Sequence, residues 1–171
     1  MDGGTLDVLL TLNNASRGNI NRNNLLAVHG GTMSIGGSLS PGNAKQAAHI
    51  NNRIRIERAS MRLTAASFKT QGDCALEYVV PAGGFGNAAP FAVSGTATIA
   101  ATTRLVIDAE AFVKGGGGRV TLFSAGTLAD NSIPVENITV TTVPGGTSQV
   151  VQSDNAIVLK AGLPTTVILV Q

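Results

Sequence analysis

The chain has 171 residues, of which 43% are hydrophobic and only 13% are charged, with a formal net charge of +2. These values exclude a disordered segment, and the length suffices to bury one core without cross-links. The small net charge does not indicate a nucleic-acid partner, and the single cysteine excludes a disulfide within the chain. The sequence has neither the basic and apolar start of a signal peptide nor the run of about 18 apolar residues that membrane insertion needs.

The first 72 residues repeat one pattern three times. Asn23–Ile35 (NNLLAVHGGTMSI) aligns without gaps with Asn51–Leu63 (NNRIRIERASMRL), 28 residues later. A weaker copy places Gly3–Leu12 against Gly30–Leu39 at an offset of 27. Self-similarity at such a period is typical of proteins that stack copies of one structural unit.

Apolar residues alternate with polar ones within these copies, as in the runs Ile54–Ile56 and Met61–Leu63. A period of two indicates strands with one buried face, and the Gly-Gly, Asn-Asn and Pro-Gly pairs mark turns between them. A unit with two or three short strands cannot enclose a core alone, whereas stacked copies can. The sequence therefore predicts an all-β fold, a parallel β-solenoid with rungs of about 28 residues, and we expect a right-handed β-helix.

The pattern changes after Gly72, where the sequence still indicates strands but less regular ones. Candidate strands are Cys74–Val80, Phe91–Val93, Arg104–Ile107, Ile138–Val143 and Thr165–Gln171, with a hairpin that turns at Ser153–Asn155. No segment has a 3.6-residue period, so we expect no helix. Because an open last rung exposes strand edges, we interpret residues 1–171 as a single β-solenoid domain or fragment, with regular rungs over 1–72 and irregular rungs and a C-terminal β cap over 73–171.

One segment carries a family resemblance. The run GGTMSIGGSLSPGN, Gly30–Asn43, resembles the Gly-Gly-Thr-Leu…Leu-Ser-Pro-Gly-Asn signature of autotransporter-associated β-strand repeats. Asn43 is followed by Ala-Lys, where the family has Ser-Ile-Gly. The later runs Thr103–Leu128 and Glu136–Lys160 are similar to the segment that closes such arrays.

The resemblance implies an exported fragment of a bacterial surface protein, displayed at the cell surface or outside the cell. We expect a structural or adhesive module with no catalysis, no cofactor and no metal. The expected partners are host or bacterial surface glycans or proteins, and neighbouring solenoid repeats if the chain is a fragment. We expect no nucleic-acid partner and no membrane insertion by this segment.

Several motifs of enzymes and metal sites are absent or incomplete. The glycine run at Lys114–Arg119 leads into a strand and lacks the Gly-Lys-Ser/Thr of a phosphate-binding loop. Gly36–Ser40 (GGSLS) lacks the last glycine of a serine hydrolase elbow. His29, His49 and Cys74 do not have the spacing of a metal site, and Cys74 is interpreted as a small strand residue.

Asp108 and Glu110 are the best candidates for catalysis. Two positions apart on a strand, they would share one face, with side chains roughly 6–7 Å apart. Paired carboxylates at such a distance are used by glycoside hydrolases. The alternative function is therefore a polysaccharide-active β-helix enzyme, a lyase or a glycoside hydrolase. The competing interpretation is a pair of solvated acids at an exposed strand edge.

Arginines cluster in the second copy of the repeat and form the candidate binding site. Alternation with Ile54 and Ile56 places Arg53 and Arg55 on the outer face of the predicted solenoid. The predicted basic stripe consists of Arg53, Arg55, Arg58 and Arg62, followed by Lys69. It would suit an anionic glycan, and the alternative is a solvated face that prevents edge pairing. No aromatic residue interleaves with it, which argues against the stacking of bases or sugars.

Overall fold

The computed structural model describes residues 2–8, 12–13, 25–28, 30–41, 51–129 and 133–164, and describes only the backbone of 2–8, 12–13 and 28. The strands form two sheets. In sheet one the strand order is β1 (Asp2–Val8), β4 (Gly30–Ser40), β6 (Arg62–Lys69), β8 (Phe91–Thr98), β10 (Gly118–Ala129), β13 (Ala156–Gly162) and β12 (Thr147–Ser153), and β2 (Leu12–Asn13) also pairs with β4. In sheet two the order is β3 (Leu25–Val28), β5 (Asn52–Ile56), β7 (Cys74–Val79), β9 (Arg104–Asp108) and β11 (Ile138–Thr141).

The chain alternates between the two sheets and coils into a solenoid. From β1 to β10 every neighbouring pair in sheet one is parallel, and all pairs in sheet two are parallel. Each rung contributes one strand to each sheet, with about 4 turns at a spacing of about 29 residues. The all-β, parallel β-solenoid predicted from the sequence is confirmed.

The core lies between the sheets and is built from apolar side chains stacked rung over rung. Inward-facing residues of sheet two occupy equivalent positions in five strands: Leu26, Ile54, Leu76, Leu105 and Ile138. The corresponding stack of sheet one contains Met33, Leu63, Phe91 and Phe123. Phe91 and Phe123 meet edge to face with ring centroids 4.9 Å apart, a favoured geometry for aromatic pairs. Parallel stacking thus places the apolar side chains of neighbouring rungs over one another.

The repeat predicted the register correctly in part. Leu25 pairs with Arg53 at the offset of 28, and Leu6 pairs with Met33 at the offset of 27. In sheet one, however, Met33 pairs with Leu63, at an offset of 30, and not with Met61 as the ungapped alignment predicts. The corner over 57–61 takes up the two extra residues. A shift of two keeps every side chain on its original face, because strand residues alternate with period two.

A short helix interrupts the strands, so the expectation of no helix was wrong. Helix α1, Glu110–Lys114, lies between β9 and β10 and buries Phe112 and Val113. Five residues are too few to show a 3.6-residue period in the sequence, and burial of these two side chains holds the turn. A 3₁₀ turn, Val135–Asn137, precedes β11. None of the helices in the described ranges has the length and hydrophobicity to cross a membrane.

Sheet one bends at the same level in successive rungs. Each pairing there shifts register: between Ile35 and Ser38, between Ala65 and Phe68, and between Ala125 and Thr127. An extra residue in one strand bends it locally. At these bends the backbones of neighbouring rungs come so close that glycine is needed, as at Gly95 and Gly126.

The C-terminal hairpin ends sheet one and was predicted at its turn. Strands β12 and β13 pair antiparallel around Asp154–Asn155, and β13 adds to the free edge of β10. The Gln152 side-chain amide makes two hydrogen bonds to the backbone of Ile133. It accepts from the N–H at 2.7 Å and donates to the carbonyl at 2.9 Å. The strand predicted at Thr165–Gln171 lies outside the described residues. The hairpin therefore covers the edge that the last parallel strand of sheet one would otherwise expose.

Candidate functional site

The outer face of sheet two carries the first half of the predicted basic stripe. Arg53 and Arg55 lie on β5 and point outward, because Ile54 and Ile56 between and beside them are buried in the core. Arg53 Nη1 lies 3.5 Å from Glu77 Oε1 on the next rung. Arg55 Nε lies 3.1 Å from Glu57 Oε2. Both guanidinium groups are therefore neutralised by carboxylates of the same face.

The second half of the stripe lies elsewhere. Arg58 is exposed in the corner between the two sheets, and Arg62 is on β6, in sheet one. Arg62 donates to the carbonyls of Ala59 at 2.8 Å and Phe85 at 3.0 Å, and so fastens two corner loops to each other. The four arginines therefore extend around a corner of the solenoid and do not form one flat stripe.

A further ion cluster on sheet two was not predicted. Arg104 on β9 donates to Asp73 Oδ1 at 2.9 Å and to Asn51 Oδ1 at 3.3 Å. Asp73 Oδ2 accepts from the backbone N–H of Asn51 at 2.9 Å. Asn51 has φ of 57°, in the left-handed region that asparagine tolerates better than most residues. The cluster joins three rungs at one corner, and only the register brings these distant residues together.

Together these contacts show what the charges on sheet two do. Among the described residues, this face has three arginines, Arg53, Arg55 and Arg104, and each has a carboxylate within ion-pair distance. Two of the three pairs connect different rungs. The three pairs are only partly exposed, and pairs near the surface typically contribute about 0–1 kcal/mol each to stability. Their chemical effect is to align rungs and to leave little free positive charge for a ligand.

The proposed carboxylate pair is not on one strand face, so this prediction was wrong. Asp108 ends β9, and Glu110 begins helix α1. The Asp108 carboxylate accepts a hydrogen bond from the backbone N–H of Glu110 at 3.1 Å, and so forms the turn between strand and helix. The Glu110 carboxylate lies 3.6 Å from Lys114 Nζ, one helical turn later. The two acids therefore have separate local partners.

Cys74 begins β7 and is fully buried. Burial raises the pKa of its thiol to about 12, and the nearby Asp73 carboxylate adds to this effect. A thiol with this pKa is protonated at neutral pH and is a poor nucleophile. The prediction that Cys74 is a small strand residue is confirmed.

The remaining candidates give no site in the described ranges. Gly36–Ser40 lies within strand β4, and the glycine run at Lys114–Arg119 connects the end of α1 to the start of β10. His29 and His49 lie outside the described residues. In the part of the chain that the structure describes, no group of three or more His, Cys, Asp or Glu side chains is placed to hold a metal.

A shallow groove crosses the outer face of sheet one at the bend of the rungs. Its volume is about 400 Å³, and its lining consists of small residues: Ser34, Ile35, Gly36, Thr64, Ala65, Ala66, Ala92, Val93 and Ser94. The Ser34 and Thr64 hydroxyls are hydrogen-bonded to each other at 2.8 Å. The groove thus has no acid, base or strong nucleophile in its lining.

Comparisons with family models, with curated proteins and with solved structures give no match for this chain. The fold therefore defines its class, a parallel β-solenoid closed in sheet one by a hairpin.

Proposed function

We propose that this chain is a structural or adhesive β-solenoid module of an exported bacterial surface protein, and that it catalyses no reaction. The proposal rests on one observation: charged side chains of neighbouring rungs form ion pairs with each other. Arg53, Asp73, Glu77 and Arg104 bridge neighbouring rungs, and Asp108 shapes a turn. Side chains that could act on a substrate thus contribute to the stacking of the coil.

The surface location rests on the resemblance of Gly30–Asn43 to autotransporter-associated repeats. A rigid stack of rungs suits a stalk or a spacer, because its length grows with the number of copies and each copy contacts only its neighbours. Antibodies raised against the purified chain test this location. We expect them to label intact cells of the source organism as strongly as permeabilised cells. Labelling that requires permeabilisation would contradict export.

The alternative of a polysaccharide-active enzyme is tested with uronic-acid polysaccharides and neutral glycans as substrates. We expect no new ultraviolet absorbance and no new reducing ends after prolonged incubation, with a known lyase as positive control. Turnover that persists after repurification and disappears in Asp108→Asn or Glu110→Gln would overturn the structural proposal. Binding without turnover would instead support the adhesive form of the module.

A further inference from the structure

Two cations lie on neighbouring strands where the C-terminal hairpin pairs with β10. Arg119 on β10 is directly opposite Lys160 on β13 in the antiparallel register. Both side chains are exposed, while their neighbours Val120 and Leu159 are buried in the core. Directly opposite residues of an antiparallel pair have Cβ atoms about 4.5–5.5 Å apart. The backbone therefore places the first carbons of the two cationic side chains close together on one face.

These cations differ from the arginines of sheet two. Within the described residues, the ion pairs involve Arg53, Arg55, Arg104 and Lys114, and neither Arg119 nor Lys160 takes part in one. Like charges opposite each other destabilise a strand pair. A bound anion removes this cost, because it places negative charge between the two cations.

The surroundings of the pair favour a glycan as the carrier of the anion. Gln149 on β12 is directly opposite Lys160, so Arg119, Lys160 and Gln149 form one row across three strands. In the adjacent row, exposed Thr147 pairs with Gly162, and the space above Gly162 is open. A guanidinium recognises an oxoanion through two parallel hydrogen bonds, and amide and hydroxyl groups suit sugar hydroxyls. The row has no aromatic residue on which a nucleobase would stack.

We propose that the row of Arg119, Lys160 and Gln149 is a binding site for the sulfate or carboxylate groups of an anionic glycan. The site goes beyond the proposed structural role and does not depend on it. It also differs from Arg53 and Arg55 of the basic stripe, which have carboxylate partners, because Arg119 and Lys160 have none among the described residues.

The test measures binding of the full chain to a sulfated heparin oligosaccharide and to a polygalacturonate oligosaccharide by calorimetry at low ionic strength. Dextran serves as the neutral glycan and inorganic sulfate as the free anion. We expect binding to at least one charged oligosaccharide and none to dextran. The double variant Arg119→Ala/Lys160→Ala should lose at least about tenfold in affinity, since it removes both charged donors of the row.

The matched control is Arg104→Ala/Lys114→Ala, which also removes one arginine and one lysine, each with a carboxylate partner and neither in the proposed row. We expect it to keep its affinity within about twofold, because these two cations are already paired with carboxylates and charges outside the row are screened. An equal loss in both double variants would show an effect of net charge alone and would overturn the proposal. So would the absence of binding to both charged oligosaccharides, or equal affinity for inorganic sulfate.

A stability measurement gives an independent readout. Lys160→Gln should raise the melting temperature of the free protein, because it relieves the repulsion across the strand pair. Saturating charged oligosaccharide should raise the melting temperature of the wild type and leave that of the double variant unchanged. An unchanged or lower melting temperature for Lys160→Gln would remove the physical basis of the site.

Discussion

Single residues of strand β5 show how sharply inside and outside are separated in this fold. Ile54 is 2% exposed, whereas Arg53 and Arg55 on either side of it carry ion pairs at the surface. Ile54 also sits between Leu26 and Leu76 in the stack of sheet two. A substitution of Ile54 therefore disturbs the packing of three rungs. A substitution of Arg53 or Arg55 mainly changes ion pairs at the surface.

Ile54→Asp should be strongly destabilising. The substitution places a carboxylate in an apolar stack, where the cost of an unpaired buried charge is several kcal/mol, a large part of the stability of a typical domain. We expect loss of the β signal in circular dichroism, or a transition at much lower temperature. Arg58→Asp is the control, since Arg58 is exposed. A melting temperature of Ile54→Asp equal to that of the wild type would show that Ile54 does not face the core.

Cys74 links burial to the pH dependence of stability. Burial raises the pKa of its thiol from 9.0 to about 12 in the folded protein. Below pH 9 the thiol is protonated in both folded and unfolded chains, so it contributes no pH dependence. Above pH 9 the unfolded chain releases the proton while the folded chain keeps it. The free energy of unfolding therefore falls as the pH rises from about 9 to about 12.

This fall should be smaller in Cys74→Ala than in the wild type. Chemical denaturation at pH 8, 9, 10 and 11 measures the free energy of unfolding of both proteins. Burial also raises the pKa of Tyr78, but Tyr78 is present in both and its effect cancels in the comparison. We expect the curves to be parallel up to pH 9 and to converge above it. Curves that remain parallel to pH 11 would contradict a raised pKa for Cys74.

At the scale of elements, the bend of sheet one depends on close contact between rungs. A Cβ atom on Gly95 would lie 2.7 Å from the carbonyl oxygen of Ala66 in the preceding rung, and one on Gly126 would lie 2.6 Å from that of Ser94. No side-chain carbon tolerates such distances to backbone. These glycines therefore allow the strands to stack through the bend.

Gly95→Ala should lower the free energy of unfolding by about 1–3 kcal/mol, the usual cost of overpacking. Gly83→Ala is the matched control, because a Cβ atom there meets nothing within 4 Å. We expect this control to be neutral or slightly stabilising, since alanine restricts the unfolded chain more than glycine does. Denaturant unfolding of both variants measures the difference, and equal stability of Gly95→Ala and Gly83→Ala would exclude a close contact at the bend.

Local patterns predicted the strands better than the corners. The alternation around Ile54 fixed which face of β5 is buried, and the hairpin turn near Asp154 was visible from its turn residues. The two-residue shift that pairs Met33 with Leu63 was not predicted, because the length of a corner leaves no periodic signal in the sequence. Helix α1 was missed for a similar reason, since packing of Phe112 and Val113 holds a turn too short for a pattern.

At the scale of the whole molecule, the register decides which charges meet. The stripe of arginines was predicted from neighbours in sequence, and the corner turns Arg62 away from Arg53 and Arg55. Arg104 contacts Asp73 and Asn51 across three rungs, and Arg119 on β10 lies opposite Lys160 on β13. No spacing in the sequence indicates these contacts, because corners of unequal length separate the partners.

The same stacking predicts how stability is distributed along the solenoid. Strands β5, β7 and β9 have a parallel neighbour on both sides, so both edges of each strand are hydrogen-bonded. Strands β11 and β12 each have one neighbour among the described strands. Amides that lack a partner strand on one side exchange through local opening, whereas central ones require larger unfolding.

Hydrogen exchange should therefore be slower in β5, β7 and β9 than in β11 and β12. The folded chain is labelled with deuterium for increasing times, quenched and digested. Mass spectrometry of the peptides then gives the exchange rate of each strand. Ile107→Ala provides the control for cooperativity, because Ile107 is buried on β9 next to Tyr78. If the rungs support one another, this variant speeds exchange in β7 and β5 as well as in β9. Faster exchange confined to β9, or equal protection of β7 and β12, would contradict a stability transmitted from rung to rung.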